Sequence, residues 1–441
     1  MKPDADPDVV IIGAGAAGLA ALRELDRAGG HALCLEARDR IGGRILTVHD
    51  PLCPLPLEVG AEFIHGHPPE IWDIVHSAQL TAYDSGDNAV RISGGKVQDA
   101  QAWQSIERVM NAMQALAARS PDQSFASFLA SSAHSDQEKR WAAAYVEGFN
   151  AARKEIVGIA SLAQDAAAAA QIDGDRAFRL VNGYDTVPLH LLHAVSEANA
   201  KLRLNSVVKS VVWQPDTAQV HVRHSLTGHL KIIRCRKVVI TVPLGVLQAP
   251  PDSFGVIRFR PEPGGILAAA QALAFGQAMR VTLRFRESFW ERNSEISFAG
   301  FLLSDEPLFP TWWTSLAVRS SLITGWSAGP HADALLGQPP SKIVSTALAS
   351  LARITNSNPA RINDLLEAAY FHDWHADPFA RGAYSYVPAG ALEARKILAE
   401  PVADTLYFAG EATELNGHSA TVQGAIASGK RAARQILSAR G

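Results

Sequence analysis

Apolar positions along this chain change their spacing in an order that predicts the architecture. Val9-Val10-Ile11-Ile12 is short, wholly apolar and β-branched, as a strand buried on both faces requires. Leu19, Leu22 and Leu25 follow at helical spacing, and Gly29-Gly30 ends that helix. Ala32 to Glu36 is a second strand, completing one βαβ unit. Residues from about 70 to 178 read as mostly helical. Trp103 to Ala118, Ser124 to Leu129, Glu138 to Phe149 and Ile156 to Ala170 carry apolar side chains three and four apart. Between 202 and 242 the period becomes two. Val207-Val208, Val211-Val212, Val220 to Val222 and Val238 to Val242 are predicted as strands returning to the first sheet. Further strands fall at Val281 to Phe285, Leu322 to Trp326 and Thr405 to Phe408, and Gly424 to Ser438 is the closing helix.

This order implies an α/β nucleotide-binding domain interrupted by excursions that build a second domain. The first takes 1–69, 179–258 and 383–441; the second takes 70–178, helical, and 259–382, sheet plus helices. A chain of 441 residues with 47% apolar positions supports two or three such units. Its 41 Lys and Arg against 44 Asp and Glu leave a net charge of −3, which gives no general reason to expect nucleic acid or an anionic membrane as a partner. Cys34, Cys53 and Cys235 show neither zinc nor redox spacing, and Cys34 lies within an apolar strand, as a buried free thiol in a reducing compartment would. Residues 1–7 are acidic and lack an apolar core, and no run approaches about 18 apolar residues, so a cytoplasmic protein without a membrane span is expected.

The glycines carry the first chemistry. Gly13-Ala14-Gly15-Ala16-Ala17-Gly18 follows a strand and opens a helix, and Glu36 ends the next strand. That is the setting a dinucleotide fingerprint needs, with Gly13, Gly15, Ala17 and Gly18 letting backbone approach a pyrophosphate at a helix N-terminus. Glu36 is placed to accept from ribose hydroxyls and would repel a 2′-phosphate, which disfavours NADP. Arg38-Asp39-Arg40-Ile41-Gly42-Gly43-Arg44 adds a basic, glycine-rich turn that wraps the pyrophosphate a second time and points to FAD rather than NAD.

From this turn onward the chain resembles the flavin amine oxidases, the family of monoamine oxidases, polyamine oxidases and lysine-specific histone demethylases. Leu35 to Arg44 is similar to the family's N-terminal stretch, Glu58 to Gly66 to its turn beside the flavin, and Val239 to Leu247 to its return strand. Asp377 to Tyr386 is similar to the stretch lining its substrate cavity, and Tyr407 to Thr413 with Ala420 to Ala425 to its C-terminal flavin block. The resemblance implies a Rossmann-type FAD-binding domain of the amine oxidase kind, interleaved with a mixed α+β substrate-binding domain. It also implies roles. Glu36 would bind ribose, with Arg38, Gly42, Gly43 and Arg44 around the pyrophosphate and Val208 meeting adenine through its backbone. Gly60, Ala61, Glu62 and Phe63 would sit by the isoalloxazine, with Trp374 packed near it. Gly410 and Glu411 would hold the ribityl or pyrophosphate region, and Thr421, Val422 and Ala425 would meet the ring.

Several positions depart from the family pattern. A lysine usually stands ten residues before the Trp of a Phe-Trp pair, close to flavin N5 through a water; before Phe289-Trp290 that position is Arg280. Tyr384 matches one of two aromatic residues facing the flavin, and the other falls on Thr421. His418 lies nearby, so Arg280, Tyr384, Thr421 and His418 are the catalytic candidates. Ala383 stands where some monoamine oxidases attach flavin through cysteine, so noncovalent FAD is expected. Glu62 and His65 are candidates for recognising a cationic amine, and Trp312-Trp313 is expected to pack the core, with lining of the cavity as the alternative.

The expected function is oxidation of a small-molecule amine at its C–N bond. The α C–H delivers a hydride to flavin N5, and the resulting imine hydrolyses to a carbonyl compound. Oxygen or another acceptor reoxidises the flavin. The alternatives are an amino acid oxidase or C–C flavin desaturase, and a flavin-stabilised binding protein without turnover.

Overall fold

The computed structural model describes residues 6–86, 88–94, 96–98, 101–196 and 200–439. Five parallel strands form the nucleotide-side sheet, in the order Ala200–Arg203, Ala32–Leu35, Val9–Ile12, Lys237–Ile240, Leu406–Phe408. Val9 pairs with both Ala32 and Lys237, so the first strand is central. Its apolar run is needed because both faces are covered. Val9 and Ile11 face one core, shared with the helices Ala16–Arg27 and Val422–Ser438. Val10 and Ile12 face another, shared with the helices Gly264–Ala272 and Leu392–Ala399. Each such fully buried side chain contributes about 1.5–3 kcal/mol. The two helices of the first face pack closely because Gly429 meets Ala17: a Cβ there would lie 2.1 Å from the Ala17 carbonyl oxygen.

A seven-stranded sheet forms the other half, in the order Leu366–Tyr370, Ala278–Phe285, Leu322–Ala328, Thr311–Thr314, Phe301–Ser304, Ala89–Ser93, Lys96–Gln98. Strand Ala278–Phe285 is buried along its whole length. Met279, Val281, Leu283 and Phe285 enter the core beneath helix Pro340–Ile354, which leaves Arg280 on the opposite face. A short ladder, Ala274–Gly276 with Tyr384–Tyr386, joins the two halves.

Two expectations about elements need correction. The region 70–178 holds the helices Pro69–Ser77, Gln101–Ala117, Phe125–Ser131, Asp136–Phe149 and Ile159–Ala170, but also strands at Ala82–Asp84, Ala89–Ser93, Lys96–Gln98 and Ala177–Leu180. In Ala89–Ser93 the apolar alternation spans only five residues and ends at Gly94, which takes a left-handed φ of 57°, too short a pattern to stand out beside the helices. Of the strands between 200 and 242, only Ala200–Arg203 and Lys237–Ile240 return to the parallel sheet. Ser206–Gln214, Thr217–His224 and Leu230–Cys235 make a separate antiparallel ladder, with Arg258–Arg260 alongside the first of them. Val211, Val220, Val222 and Ile233 cover the back of the parallel sheet, so their period of two reflects one covered face. Cys34 and Cys235 are buried free thiols, and burial pushes both well above their usual range. Among the described residues no helix is long and apolar enough to cross a membrane.

Candidate active site

The nucleotide end is built from backbone. Gly13 takes a φ of 105°, and Gly18 is pressed against it, so that a Cβ on Gly18 would lie 1.9 Å from the Gly13 carbonyl oxygen. Gly15, the N-cap of helix Ala16–Arg27, faces a gap instead: a Cβ there would meet only the Gly43 Cα, at 4.0 Å. Gly15 and Gly42 form a parallel bridge across that gap. Beside it, the buried Glu36 carboxylate accepts from the backbone N–H groups of Ala14 and Arg38, both at 2.9 Å. The Glu36 carbonyl accepts from Ser206 N–H at 2.7 Å, which brings the Val208 backbone alongside, where the ladder shifts register. A helix N-terminus, a glycine-lined gap and a fixed carboxylate fit a dinucleotide. One terminal nitrogen of Arg38 lies 3.7 Å from the Glu36 carboxylate and the other donates to both oxygens of Asp377 at 2.7 Å, which ties the Asp377 loop to the nucleotide end.

The middle of the cleft is cross-linked. Arg44 donates to the Ala383 carbonyl at 2.7 Å and to Glu411 at 2.9 Å, and Glu411 accepts from the Ser385 hydroxyl at 2.6 Å. These two candidate cofactor groups therefore hold each other, with Arg44 also over the Phe275 ring. Gly60 admits no side chain: a Cβ would come within 2.1 Å of the Arg44 carbonyl oxygen and 3.1 Å of the Trp374 ring. Trp374 is fixed by its indole N–H on the Val59 carbonyl, and Ala61 N–H reaches the Arg44 carbonyl. Gly410, at a φ of 134°, faces open space.

Thr421 caps the helix Val422–Ser438. Its hydroxyl donates to the His418 carbonyl at 2.6 Å and accepts from Gly424 N–H at 3.0 Å. With both roles used locally, this hydroxyl positions the helix start and is not free for chemistry. That start is what favours negative charge. Val422 and Ala425 lie on the first turn. His418 is half-buried, its backbone N–H held by Glu414 at 2.8 Å.

Side chains from distant segments build the ring end. Glu62 lies between two arginines: Arg179 Nε donates to it at 2.6 Å, an Arg280 terminal nitrogen forms an ion pair with it at 2.6 Å, and Trp313 Nε1 donates to it at 3.0 Å. Arg280 also donates to the Gly60 carbonyl at 3.1 Å. Arg179 spends its remaining terminal nitrogens on the carbonyls of Leu316 and Thr314. Burial would raise the Glu62 carboxyl, but Arg280 and then Arg179 outweigh it and hold it below its usual range. The guanidiniums sit over the rings of Trp313 (Arg280) and Phe63 (Arg179), at 5.4 and 4.7 Å.

Around this triad the aromatic contacts close into a circuit. Phe149 meets His65, His65 meets Phe63, Phe63 meets Trp313 and Trp313 meets Trp326, with centroids 5.5–6.0 Å apart. Trp326 closes it by donating to the Gly148 carbonyl at 2.9 Å, and Tyr384 donates to the Phe149 carbonyl at 2.8 Å. Phe63, His65, Trp326 and Tyr384 are half-buried and Phe149 is exposed, as residues facing a cavity are. Burial lowers His65 to about 4, so the imidazole is neutral at neutral pH.

With this geometry in view, the comparisons decide the class. Residues 16–437 match the family described as flavin containing amine oxidoreductase. The chain belongs to that family. It is 30% identical to lysine-specific histone demethylase 1 homolog 1 of Arabidopsis thaliana over 98% of its own length and 52% of the relative's. It is 26% identical to probable polyamine oxidase 4 of the same plant, over 97% and 86%. The chain spans about half the length of the demethylase homologue it matches. Its fold is that of putrescine oxidase bound to putrescine (TM-score 0.82, 20% identity, 98% and 99% covered) and of cyclohexylamine oxidase from Brevibacterium oxydans IH-35A (0.79, 22%, 99% and 99%). The cofactor is a flavin, and the dinucleotide gap suits it as FAD.

The structure brings the glycine candidates, Glu36 and Val208 together at one end, and Gly60, Ala61, Glu62, Phe63, Arg280 and Tyr384 at the other. Glu62 is closed by arginines and is not available to a cationic amine. Trp312 and Trp313 part company: Trp312 is core, fully buried on Phe309, whereas Trp313 belongs to the site. Sequence reasoning missed Arg179, Phe149 and Trp326. The one legible signal was a single arginine within the strand Ala177–Leu180.

Proposed function

We propose that the chain oxidises the C–N bond of a small amine, using noncovalent FAD. The carrying observation is a chain of contacts: the Arg44 turn that ends the glycine-rich segment packs on Gly60 and Ala61, and the residues that follow, Glu62 to His65, enter a circuit of half-buried aromatic rings. A bound flavin would supply the hydride acceptor for the amine's α C–H; the amine would leave as an iminium that gives up a proton and is hydrolysed by water to a carbonyl compound. The protein's own residues orient and dry the amine. Phe63, Trp313, Trp326 and Tyr384 confine it, and His65, neutral by burial, neither repels nor protonates it. Ala383, whose N–H bonds the Gly276 carbonyl, offers no sulfur for a covalent link. Anaerobic mixing of the yellow holoprotein with amines tests the reading. Bleaching of the flavin absorbance by an amine supports it; no bleaching across a broad amine panel points to a binding protein.

Arg280 bears on the acceptor. Its guanidinium is pinned to Gly60 and Glu62, and an arginine keeps its charge where a lysine can lose it. Reoxidation of the reduced protein by oxygen is expected to be slow and to quicken in Arg280→Lys, measured by stopped-flow mixing with oxygenated buffer. Equal rates in the two forms would remove Arg280 from the account of oxygen reactivity.

A further inference from the structure

Two features of a pocket can hold a second ammonium group on a substrate: an unpaired carboxylate, and an aromatic face. At the ring end the carboxylate is already paired, and two of the aromatic rings already carry a guanidinium on one face. The Glu62 carboxylate accepts from Arg179 and Trp313 at 2.6 and 3.0 Å and is ion-paired with Arg280 at 2.6 Å. Two arginines against one glutamate give these three side chains a net charge of +1, undiminished below about pH 7, where the neighbouring buried Glu58 holds its proton; all three are at most 11% exposed. The same guanidiniums occupy one face each of Phe63 and Trp313. His65, the next polar group on the wall, is neutral and packs against Phe63 and Phe149. A cation brought within several ångströms of this cluster meets repulsion that low local dielectric strengthens.

The cluster is equally unsuited to a substrate carboxylate. Bidentate capture needs two parallel N–H groups from one guanidinium. Arg179 has spent Nε and both terminal nitrogens on Glu62, Leu316 and Thr314. Arg280 has spent both terminal nitrogens on Gly60 and Glu62, and retains only Nε without a partner among the described residues. What remains is an aromatic wall and a fixed positive charge. That charge also lowers the pKa of a bound amine, which favours the neutral form able to give up a hydride.

We propose that the Arg179–Glu62–Arg280 cluster makes this site selective for amines with one nitrogen and an apolar, aromatic-sized body, and that it excludes diamines, polyamines and amino acids. The inference rests on the amine-oxidising reading for its chemistry, but not for its order of affinities. The test uses the FAD-loaded full chain, anaerobically, with benzylamine, putrescine, spermidine and phenylalanine. Perturbation of the flavin spectrum gives affinity, and bleaching gives reduction rate. Benzylamine is expected to exceed the other three by about a hundredfold in reduction rate over Kd. Arg179→Gln and Arg280→Gln each take the cluster from +1 to neutral. Each is expected to narrow the gap between benzylamine and putrescine roughly tenfold, because one unit charge at this range shifts cation binding by that order. FAD content and melting temperature check that each variant is folded, and the wild-type order stands as a test without them. Putrescine, spermidine or phenylalanine matching benzylamine overturns the proposal, as does an unchanged gap in a folded variant. If benzylamine binds tightest but nothing bleaches the flavin, the selectivity holds and the oxidation reading falls.

Discussion

The two ends of the cleft solve the same problem, placing groups around a ligand, by different means. At the nucleotide end the placing is done by backbone. Glycines at 13, 15, 18 and 43 shape the gap, and the Glu36 carboxylate is held by two backbone N–H groups of neighbouring segments. At the ring end it is done by side chains: Glu62 is held by Arg179, 117 residues away, and by Trp313, 251 residues away. At the backbone end Gly13 and Gly18 fix the shape of the turn, and the Glu36 charge is held by backbone N–H groups. The side-chain end tolerates shape changes better but depends on charge balance, since a buried ion is stable only while it is paired.

This contrast is breakable by substitution. The largest effect is expected at Gly18, where alanine would force a Cβ to 1.9 Å from the Gly13 oxygen and cost both fold and flavin. Gly15→Ala, with its nearest neighbour 4.0 Å away, should keep the melting temperature of the apoprotein and lose FAD affinity, read by flavin fluorescence titration. If both variants behave alike, the gap at Gly15 is not a ligand space. At the ring end, Glu62→Gln changes almost no volume but leaves two buried guanidiniums without a counter-charge. A loss of about 3–5 kcal/mol in denaturant unfolding is expected. A loss below about 1 kcal/mol would mean that water, not Glu62, satisfies the arginines.

A smaller effect lies in pH. Burial, opposed by bonds from Tyr184 N–H at 2.8 Å and the Thr47 hydroxyl at 2.7 Å, pushes the Glu58 carboxyl up to about 7 from 4.5. The folded protein holds this proton more tightly than the unfolded chain. Its stabilisation is present below about pH 4.5 and is lost as pH rises to about 7, by up to about 3 kcal/mol. Glu58→Gln should flatten stability across that window. The same slope in both proteins would assign it to another group.

The contrast also governs what the sequence discloses. Backbone sites are local: a glycine spacing, a strand before it and an acid after it lie within 36 residues, so Gly13 to Glu36 was readable as a unit. The strand Val9–Ile12 was readable for the same reason, because burial on both faces leaves no polar position. The ring end left no such trace. Arg179 and Phe149 sit in ordinary strand and helix patterns, and nothing in their spacing shows that Glu62 or His65 is their neighbour. Resemblance supplied the positions of Glu62, Arg280 and Tyr384 but not their partners, so Glu62 was read as an amine acceptor although its charge is already matched. The strands at 82–98 were hidden by the helices on either side.

The most direct test of the account is a structure of the FAD-loaded protein with benzylamine. The expected result is the pyrophosphate lying against the backbone of the paired Gly15 and Gly43 turns, the amine within the circuit of Phe63, Trp313, Trp326 and Tyr384, and Glu62 still paired with Arg179 and Arg280. A Glu62 carboxylate turned from the arginines onto the amine nitrogen would contradict it.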